Sequence, residues 1–232
     1  MKMKMKNGIC HICLEVKKLS YEHFPPKTCF NNEKVIIGDK ISQKGVGDYT
    51  LCEQCNNNTG AWYVPEYEKL IKAIAYVLCK DKNKFDSDSS ISGLSLKVKD
   101  INPLLCTKQM LVIMCSLMPV EILRELKLSE FLSTEFAFLD GTENFELLVG
   151  VGIDNENGNI FKGPILIPGN IHAFCLHMYP LKIALILEKG YKIPGYTNFN
   201  VFLESDIRKS GEYVFNIDYL KDDLFCYIAN IL

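Results

Sequence analysis

The sequence predicts a mixed α+β protein built from a small N-terminal unit and a larger C-terminal unit. Two Cys-x-x-Cys pairs lie within the first 60 of the 232 residues. A segment with apolar residues at helical spacing follows them. Short apolar stretches separated by turn residues then fill most of the second half, which is the pattern of antiparallel strands. The expected architecture is a cysteine-bearing module followed by a helical and mostly antiparallel β domain.

The predicted boundaries follow from composition. The first unit, 1–80, contains the cysteine pairs and an exit helix. Residues 81–98 are rich in Asp, Ser, Lys and Asn, a composition typical of an exposed linker. The second unit, 99–232, is expected to be an α+β domain whose role the sequence leaves open.

Within the first unit, residues 19–24 alternate well enough for a short strand, which Pro25 and Pro26 must end because proline lacks a ladder donor. Residues 48–51 predict a returning strand that leads into Cys52. The run Asn-Asn-Asn-Thr-Gly at 56–60 is a polar breaker. A helix is expected to begin near this run and to continue to about Lys80.

The second unit begins with a helical pattern and changes to a strand pattern. Residues 104–118 are apolar nearly all round after Pro103, which predicts a buried helix that Pro119 stops. Residues 120–131 predict a second helix. The remaining pattern predicts a mostly antiparallel sheet with helices on one side, with strands at 145–151, 159–161, 164–167, 171–178 and 181–187.

Composition and charge limit the classes of function. The apolar runs are far shorter than the roughly 20 residues that a membrane span needs. The N-terminus lacks the apolar core of a secretory signal, so we expect a cytoplasmic protein without a membrane partner. The net charge is −2, but residues 1–60 hold nine Lys against six Asp and Glu, a net +3. This mild basic bias suits a polyanionic partner.

The spacing of four cysteines predicts a zinc site. Ten cysteines in a reducing compartment are more typical of metal ligands and small apolar residues than of disulfides. Two Cys-x-x-Cys turns supply the four sulfurs of a tetrahedral site, Cys10, Cys13, Cys52 and Cys55. The alternative, a redox-active pair, lacks a thioredoxin-like pattern. With four thiolates the zinc would be coordinatively closed, so we expect it to be structural.

Between and after these cysteines the chain carries a family pattern. Cys-x2-Cys, Glu-His-x-x-Pro and Leu-Cys-x2-Cys-Asn-x-x-x-Gly span residues 8–65. This layout resembles the HNH, or His-Me finger, nuclease superfamily, and in particular zinc-bearing members of the endonuclease VII type and Glu-His-x-x-Pro proteins. The resemblance implies a zinc-stabilised treble clef with a ββα-metal core, in which a two-stranded hairpin packs on a helix around a catalytic metal.

The resemblance also implies roles for three residues. His23 would be the general base that takes a proton from the attacking water. Asn56 would ligate the catalytic metal or orient the base, and Glu22 would be the acidic metal ligand. Mg²⁺ or Mn²⁺ would suit an oxygen site of this kind.

Several simpler interpretations remain open at this stage. Asn56 could cap the helix, Glu22 could be a surface residue, and His23 could be a strand histidine held by polar neighbours. The third ligand position of the family has no clear counterpart in this sequence. Three residues are candidates for it: Asn57, Thr59 and Tyr63.

The sequence thus supports two hypotheses of function. The first is a metal-dependent HNH-type endonuclease that hydrolyses DNA phosphodiester bonds, by analogy in restriction or phage defence, with RNA as the alternative nucleic-acid partner. A protein partner or a homodimer contact would then involve the C-terminal domain. The alternative is a non-catalytic treble-clef zinc module that binds nucleic acid or a protein partner.

Overall fold

The computed structural model describes most of the chain, and every structural statement below concerns the described ranges alone. They are residues 6–31, 35–37, 40–42, 45–80, 92–142, 144–152, 161–167, 171–190 and 192–219. Helices and antiparallel sheets occur together, which confirms the mixed α+β class. No helix in these ranges combines the length and the apolarity that a bilayer-spanning helix requires.

The elements of the N-terminal part, in chain order, are β1 (Lys6–Ile9), β2 (Val16–His23), β3 (Val35–Ile37), β4 (Lys40–Ser42), β5 (Gly47–Cys52), α1 (Glu53–Trp62) and α2 (Val64–Lys80). Those of the C-terminal part are β6 (Ser92–Ile101), α3 (Pro103–Leu117), α4 (Val120–Leu126), α5 (Ser129–Ser133), β7 (Glu146–Val151), β8 (Phe161–Ile167), β9 (Ile171–Met178), β10 (Leu181–Ile186), β11 (Thr197–Asn198), α6 (Asn200–Leu203) and β12 (Gly211–Tyr219).

An antiparallel sheet in the order β1-β2-β5 forms the N-terminal unit. The strands predicted at 19–24 and 48–51 are confirmed as β2 and β5. Strand β5 runs directly into α1, and Cys52 is both its last residue and the residue that caps the helix. The polar run 56–60, predicted as a breaker, lies inside α1. Helix formation there overrides local preference because Cys55 and Thr59 are buried by tertiary packing.

The first helix of the C-terminal unit is α3, which starts at Pro103 as predicted. The Asn102 side chain accepts a hydrogen bond from the Leu105 N–H at 3.1 Å, which caps the helix. The predicted single helix over 120–131 is instead two short helices, α4 and α5. Lys127 separates them in the left-handed region, at φ 53°, which an α-helix cannot accommodate.

The strands expected after residue 145 are confirmed as an antiparallel sheet in the order β11-β7-β10-β9-β8. Residue 161 of the strand predicted at 159–161 and the whole strand predicted at 164–167 belong to one strand, β8, while residues 159 and 160 lie outside the described ranges. Strand β6 pairs with β12 and includes residues 92–98 of the predicted linker 81–98, whose residues 81–91 lie outside the described ranges. The linker prediction is wrong for residues 92–98. The buried Leu94, Leu96 and Val98 alternate with polar residues, which is the pattern of a strand with one buried face.

Helix α3 lies at the centre of the core. Nearly all of its side chains are buried, and the helix packs against α2 and the sheet strands β9 and β10. One apolar cluster includes Leu70 and Ile74 of α2 together with Met110 and Ile113 of α3. The two parts of the chain therefore share a core, which explains why α3 is apolar on every side.

A buried lysine links α3 to the segment after α5. The Lys108 ammonium donates to the carbonyls of Phe131, Thr134 and Glu135 at 2.8, 2.7 and 3.1 Å. Its Nζ also lies 4.1 Å from the centroid of the Phe131 ring. Burial lowers the pKa of Lys108 to about 7, while the three carbonyl acceptors favour its charged form.

Asn102 is a point at which stability can be tested. It caps α3, and its Nδ2 donates to the Ile207 carbonyl at 3.0 Å. We expect Asn102→Ala to lower the free energy of unfolding by about 1–2 kcal/mol, because both contacts are lost. Asn102→Ser keeps an oxygen that can cap the helix, so its free energy of unfolding should fall clearly less. Denaturant unfolding of both variants measures this, and equal losses would contradict the capping role.

Candidate functional site

The four paired cysteines converge at one point. Cys10 and Cys13 lie in the turn between β1 and β2, while Cys52 and Cys55 flank the junction of β5 and α1. Their Sγ atoms all lie within 4.8 Å of one another. A tetrahedral zinc with bonds of about 2.3 Å separates its sulfurs by about 3.8 Å. This group, named the cysteine cluster below, could therefore hold a metal ion such as zinc.

Local donors favour the thiolate form of Cys10, whereas burial raises the pKa of Cys13 and the contact with Cys10 raises that of Cys55. The Cys55 thiol, opposed by burial, lowers the pKa of Cys10 to about 4, with help from backbone N–H groups that include that of Cys52. The Cys52 nitrogen lies 3.3 Å from the Cys10 Sγ. Thiolate is the form that binds metal. Cys13 is half-buried and the other three are buried, so the cluster has the closed character of a structural site.

A solvent-accessible pocket of about 250 Å³ lies where the end of β2 meets α1 and α3. All three residues that the family resemblance assigned to the active centre line it. Six of its lining residues matter here, and together they define the His23 pocket: Glu22, His23, Lys27, Asn56, Thr59 and Gln109. It has room for a cation and a phosphate group.

His23 is the last residue of β2 and is half-buried. Strand pairing places it opposite Gly47 of β5. Its ring packs edge to face against Tyr21, with ring centroids 5.1 Å apart. Residues two apart on a strand share a face, so Tyr21 restricts the orientation of the imidazole at the pocket wall.

Asn56 lies in the first turn of α1, beside the cysteine cluster. Its Nδ2 donates to the Ser20 hydroxyl of β2 at 3.0 Å. The interpretation of Asn56 as a helix cap is wrong, because Cys52 occupies the cap position. The bond to Ser20 engages the amide nitrogen with the sheet, which leaves Oδ1 as the atom suited to accept from a ligand of the pocket.

Glu22 is buried, and the interpretation of it as a surface residue is wrong. Its Oε1 accepts hydrogen bonds from the hydroxyl of Ser116 on α3, at 2.6 Å, and from that of Thr50 on β5. Burial raises the pKa of the Glu22 carboxyl to about 7, although both hydroxyls favour its ionised form. This carboxyl therefore connects the two parts of the chain at the edge of the pocket.

Two of the three candidates for the third ligand position have their hydroxyls engaged elsewhere. Thr59 donates to the carbonyls of Cys55 and Asn56 within its own helix. Tyr63 is buried and donates to the Leu132 carbonyl at 3.0 Å. These bonds give both hydroxyls a structural role.

The structure brings to the pocket a residue that no sequence motif indicated. Gln109 of α3 lines the pocket, although it follows Asn56 by 53 positions. The signal in the sequence was the polar run Thr107, Lys108 and Gln109 within an otherwise apolar helix. A buried polar run of this kind requires partners and therefore marks a contact or a site.

The Glu22 carboxyl gives folding a predictable dependence on pH. Its pKa of about 7 in the folded state exceeds the ordinary value of 4.5. The stability that the protonated form contributes is fully present below pH 4.5 and is lost as the pH rises through about 7. Glu22→Gln keeps a neutral side chain at every pH. We expect it to match the wild type near pH 4.5 and to exceed it by about 3 kcal/mol at pH 8.

Denaturant unfolding at several pH values, in buffer without added divalent cations, measures this difference. Ser116→Ala is the companion variant, because it removes a hydrogen bond to the same carboxyl without removing the charge. A difference between Glu22→Gln and the wild type that does not vary with pH would contradict the assignment.

Removal of one sulfur tests the cysteine cluster. We expect Cys13→Ser to lose the bound zinc and to unfold at a lower temperature, because three thiolates hold zinc less well and metal binding is coupled to folding. Cys79→Ser is the matched control, since Cys79 is exposed and lies outside the cluster. Zinc content by mass spectrometry and thermal unfolding measure both effects. Equal zinc content in the two variants would contradict the site.

Comparison with known proteins supplies no further constraint on the site. No family model, no curated protein and no solved structure matches this chain. The function must therefore follow from the chemistry of the cysteine cluster and the His23 pocket.

Proposed function

We propose that this protein is a metal-dependent HNH-type endonuclease that hydrolyses phosphodiester bonds in DNA. The observation that carries the proposal is that His23, Asn56 and Glu22 line one pocket beside the cysteine cluster. In this proposal β2, β5 and α1 form a zinc-stabilised treble clef with a ββα-metal core, and zinc at the cysteine cluster holds the hairpin against the helix.

His23 is the general base of the proposed reaction. It removes a proton from the water that attacks the scissile phosphorus, and imidazole is the side chain best suited to proton transfer near neutral pH. The contact with Tyr21 orients the ring, and the position at the end of β2 keeps it open to a substrate entering the pocket. These features support a base held in one orientation at an accessible surface.

Asn56 and Glu22 are the proposed ligands of a catalytic Mg²⁺ or Mn²⁺. Their carboxylate and amide oxygens are the donors that hard cations prefer. Such a cation, when bound, neutralises charge on the phosphate and on the leaving oxygen. The Ser116 and Thr50 hydroxyls both engage Oε1 of Glu22 and orient the carboxyl. The second carboxylate oxygen is the one proposed to face the cation.

Lys27 supplies positive charge at the rim of the pocket. A lysine ammonium attracts a phosphate group as a point charge and does not depend on base sequence. Its position beside His23 supports a role in holding the backbone of the nucleic acid. The chemistry of these residues suits DNA and RNA alike. DNA is the proposed substrate.

One observation favours a second candidate function. Glu22 is buried and bound by hydroxyls from α3 and β5, as a residue that joins two parts of a fold would be. If that is its whole role, the chain is a non-catalytic treble-clef zinc module that binds nucleic acid or a protein partner. This alternative requires zinc but not the imidazole of His23.

Cleavage of supercoiled plasmid with Mg²⁺ or Mn²⁺ tests the proposal. We expect the wild type to nick the plasmid and His23→Ala of equal zinc content to lose at least about a hundredfold in rate, because general-base catalysis contributes roughly 10²–10⁴-fold. Added imidazole should restore part of the lost activity. Lys18→Ala is the control, since Lys18 is an exposed residue of β2 outside the pocket.

The outcomes separate the two candidates. Loss of plasmid cleavage in His23→Ala, with partial recovery on addition of imidazole, supports the nuclease proposal. Retention of plasmid binding without cleavage, in a wild type that carries zinc, supports the binding module. Equal cleavage by the wild type and His23→Ala would show that His23 is not the base.

A further inference from the structure

Helix α3 carries an uncompensated polar atom on a residue that lines the His23 pocket. Gln109 is only 4% exposed, and its Oε1 has no hydrogen-bond partner within the described part of the chain. Gln109 also lines the pocket together with His23, Asn56 and Glu22. A buried amide oxygen without a partner is unfavourable for folding, so its presence next to a pocket points to a ligand that folding alone does not supply.

The geometry of α3 fixes which way Gln109 faces. Ser116 lies seven residues further along the helix, and a separation of seven returns a side chain to nearly the same face after about two turns. The Ser116 hydroxyl donates to Glu22 at 2.6 Å. One face of α3 therefore contacts the carboxyl of Glu22 through Ser116 and reaches the pocket through Gln109.

Other contacts hold this face of α3 in place. The ring Nδ1 of His11, in the turn of the cysteine cluster, lies 2.8 Å from the Cys115 carbonyl. Lys108, the residue before Gln109, donates to the carbonyls of Phe131, Thr134 and Glu135. A helix held by contacts before and after Gln109 leaves this side chain little freedom, as a preorganised ligand requires.

The chemistry of Gln109 Oε1 limits the class of ligand that it can bind. An amide oxygen accepts hydrogen bonds or binds a hard cation, and it does not bind an anion. The neighbouring oxygens of Glu22 and Asn56 are also acceptors or cation ligands. These three oxygens match a divalent cation or its bound waters, while Lys27 at the rim of the pocket suits a phosphate group.

We infer that Gln109 Oε1 is the third protein oxygen of the cation site in the His23 pocket, supplied by the C-terminal part of the chain. The inference rests on the proposed function, because it completes the same site. It fills the position for which the N-terminal unit offers Asn57, which is exposed and does not line the pocket, and Thr59 and Tyr63, whose hydroxyls are engaged elsewhere. The pocket would then be competent only when both parts of the chain are folded together.

Binding of Mn²⁺ to the intact, zinc-loaded protein tests this inference without any substrate. Free Mn²⁺, followed by electron paramagnetic resonance, gives the affinity. We expect Gln109→Met to weaken Mn²⁺ binding by about 10–100-fold, as loss of a supporting ligand does at metal sites. Its thermal unfolding without Mn²⁺ should be unchanged or shifted upward, because the substitution removes an unpartnered buried polar group.

Two further variants keep the test decisive. Gln109→Glu replaces the amide with a carboxylate and should bind Mn²⁺ more tightly than the wild type. Gln54→Met makes the same chemical change as Gln109→Met at an exposed position of α1 outside the pocket. It should bind Mn²⁺ as the wild type does.

The results separate failure of the inference from failure of the proposed function. Unchanged Mn²⁺ affinity in Gln109→Met, or no gain in Mn²⁺ affinity in Gln109→Glu, overturns the role of Gln109. Neither result bears on the role of His23, which the plasmid assay tests. A wild type that binds no Mn²⁺ overturns both this inference and the proposed cation site. The inference is supported if Gln109→Met binds Mn²⁺ more weakly at normal zinc content while Gln54→Met binds Mn²⁺ as the wild type does.

Discussion

The convergence of four cysteine sulfurs within 4.8 Å is the constraint on which the N-terminal unit depends. Two of them lie in the turn before β2, and two flank the point where β5 becomes α1. The group fixes the angle between sheet and helix, and with it the position of Asn56 relative to His23. Without it, the polar run at 56–60 has little reason to be helical, because asparagine, threonine and glycine are poor helix formers. A metal at this point would therefore organise the pocket without taking part in its chemistry.

Helix α3 is the second organising element, and it belongs to the other part of the chain. Its burial on every side joins the two parts in one core. Two of its buried polar side chains form hydrogen bonds with other elements. Lys108 donates to the carbonyl of Phe131 in α5, and Ser116 donates to the carboxyl of Glu22. Gln109 is the exception, since its Oε1 has no partner among the described residues. The C-terminal part thus contributes to the candidate site as well as to stability.

At Glu22, folding stability and the proposed binding of a cation place opposite demands on one carboxyl. A buried carboxyl whose pKa is raised to about 7 favours the folded state only while it is protonated. A cation needs the ionised form, and the hydroxyls of Ser116 and Thr50 compensate only part of the desolvation. An uncompensated amide oxygen nearby, in Gln109, adds to the same unfavourable balance. Polar groups that oppose folding are expected where a protein binds something that it does not itself contain.

The sequence by itself determined the mixed class, the four cysteines that cluster and most of the secondary structure. Spacing carries that information, since two Cys-x-x-Cys turns and residues of periodic hydrophobicity are visible without coordinates. It did not reveal β6 within the polar segment 81–98 or the break at Lys127, because strand pairing and a left-handed residue are consequences of packing. Only the tertiary structure decided that Glu22 is buried and that Gln109 reaches the pocket. Both depend on α3 lying against β2 and α1, a contact between residues distant in sequence that no local pattern encodes.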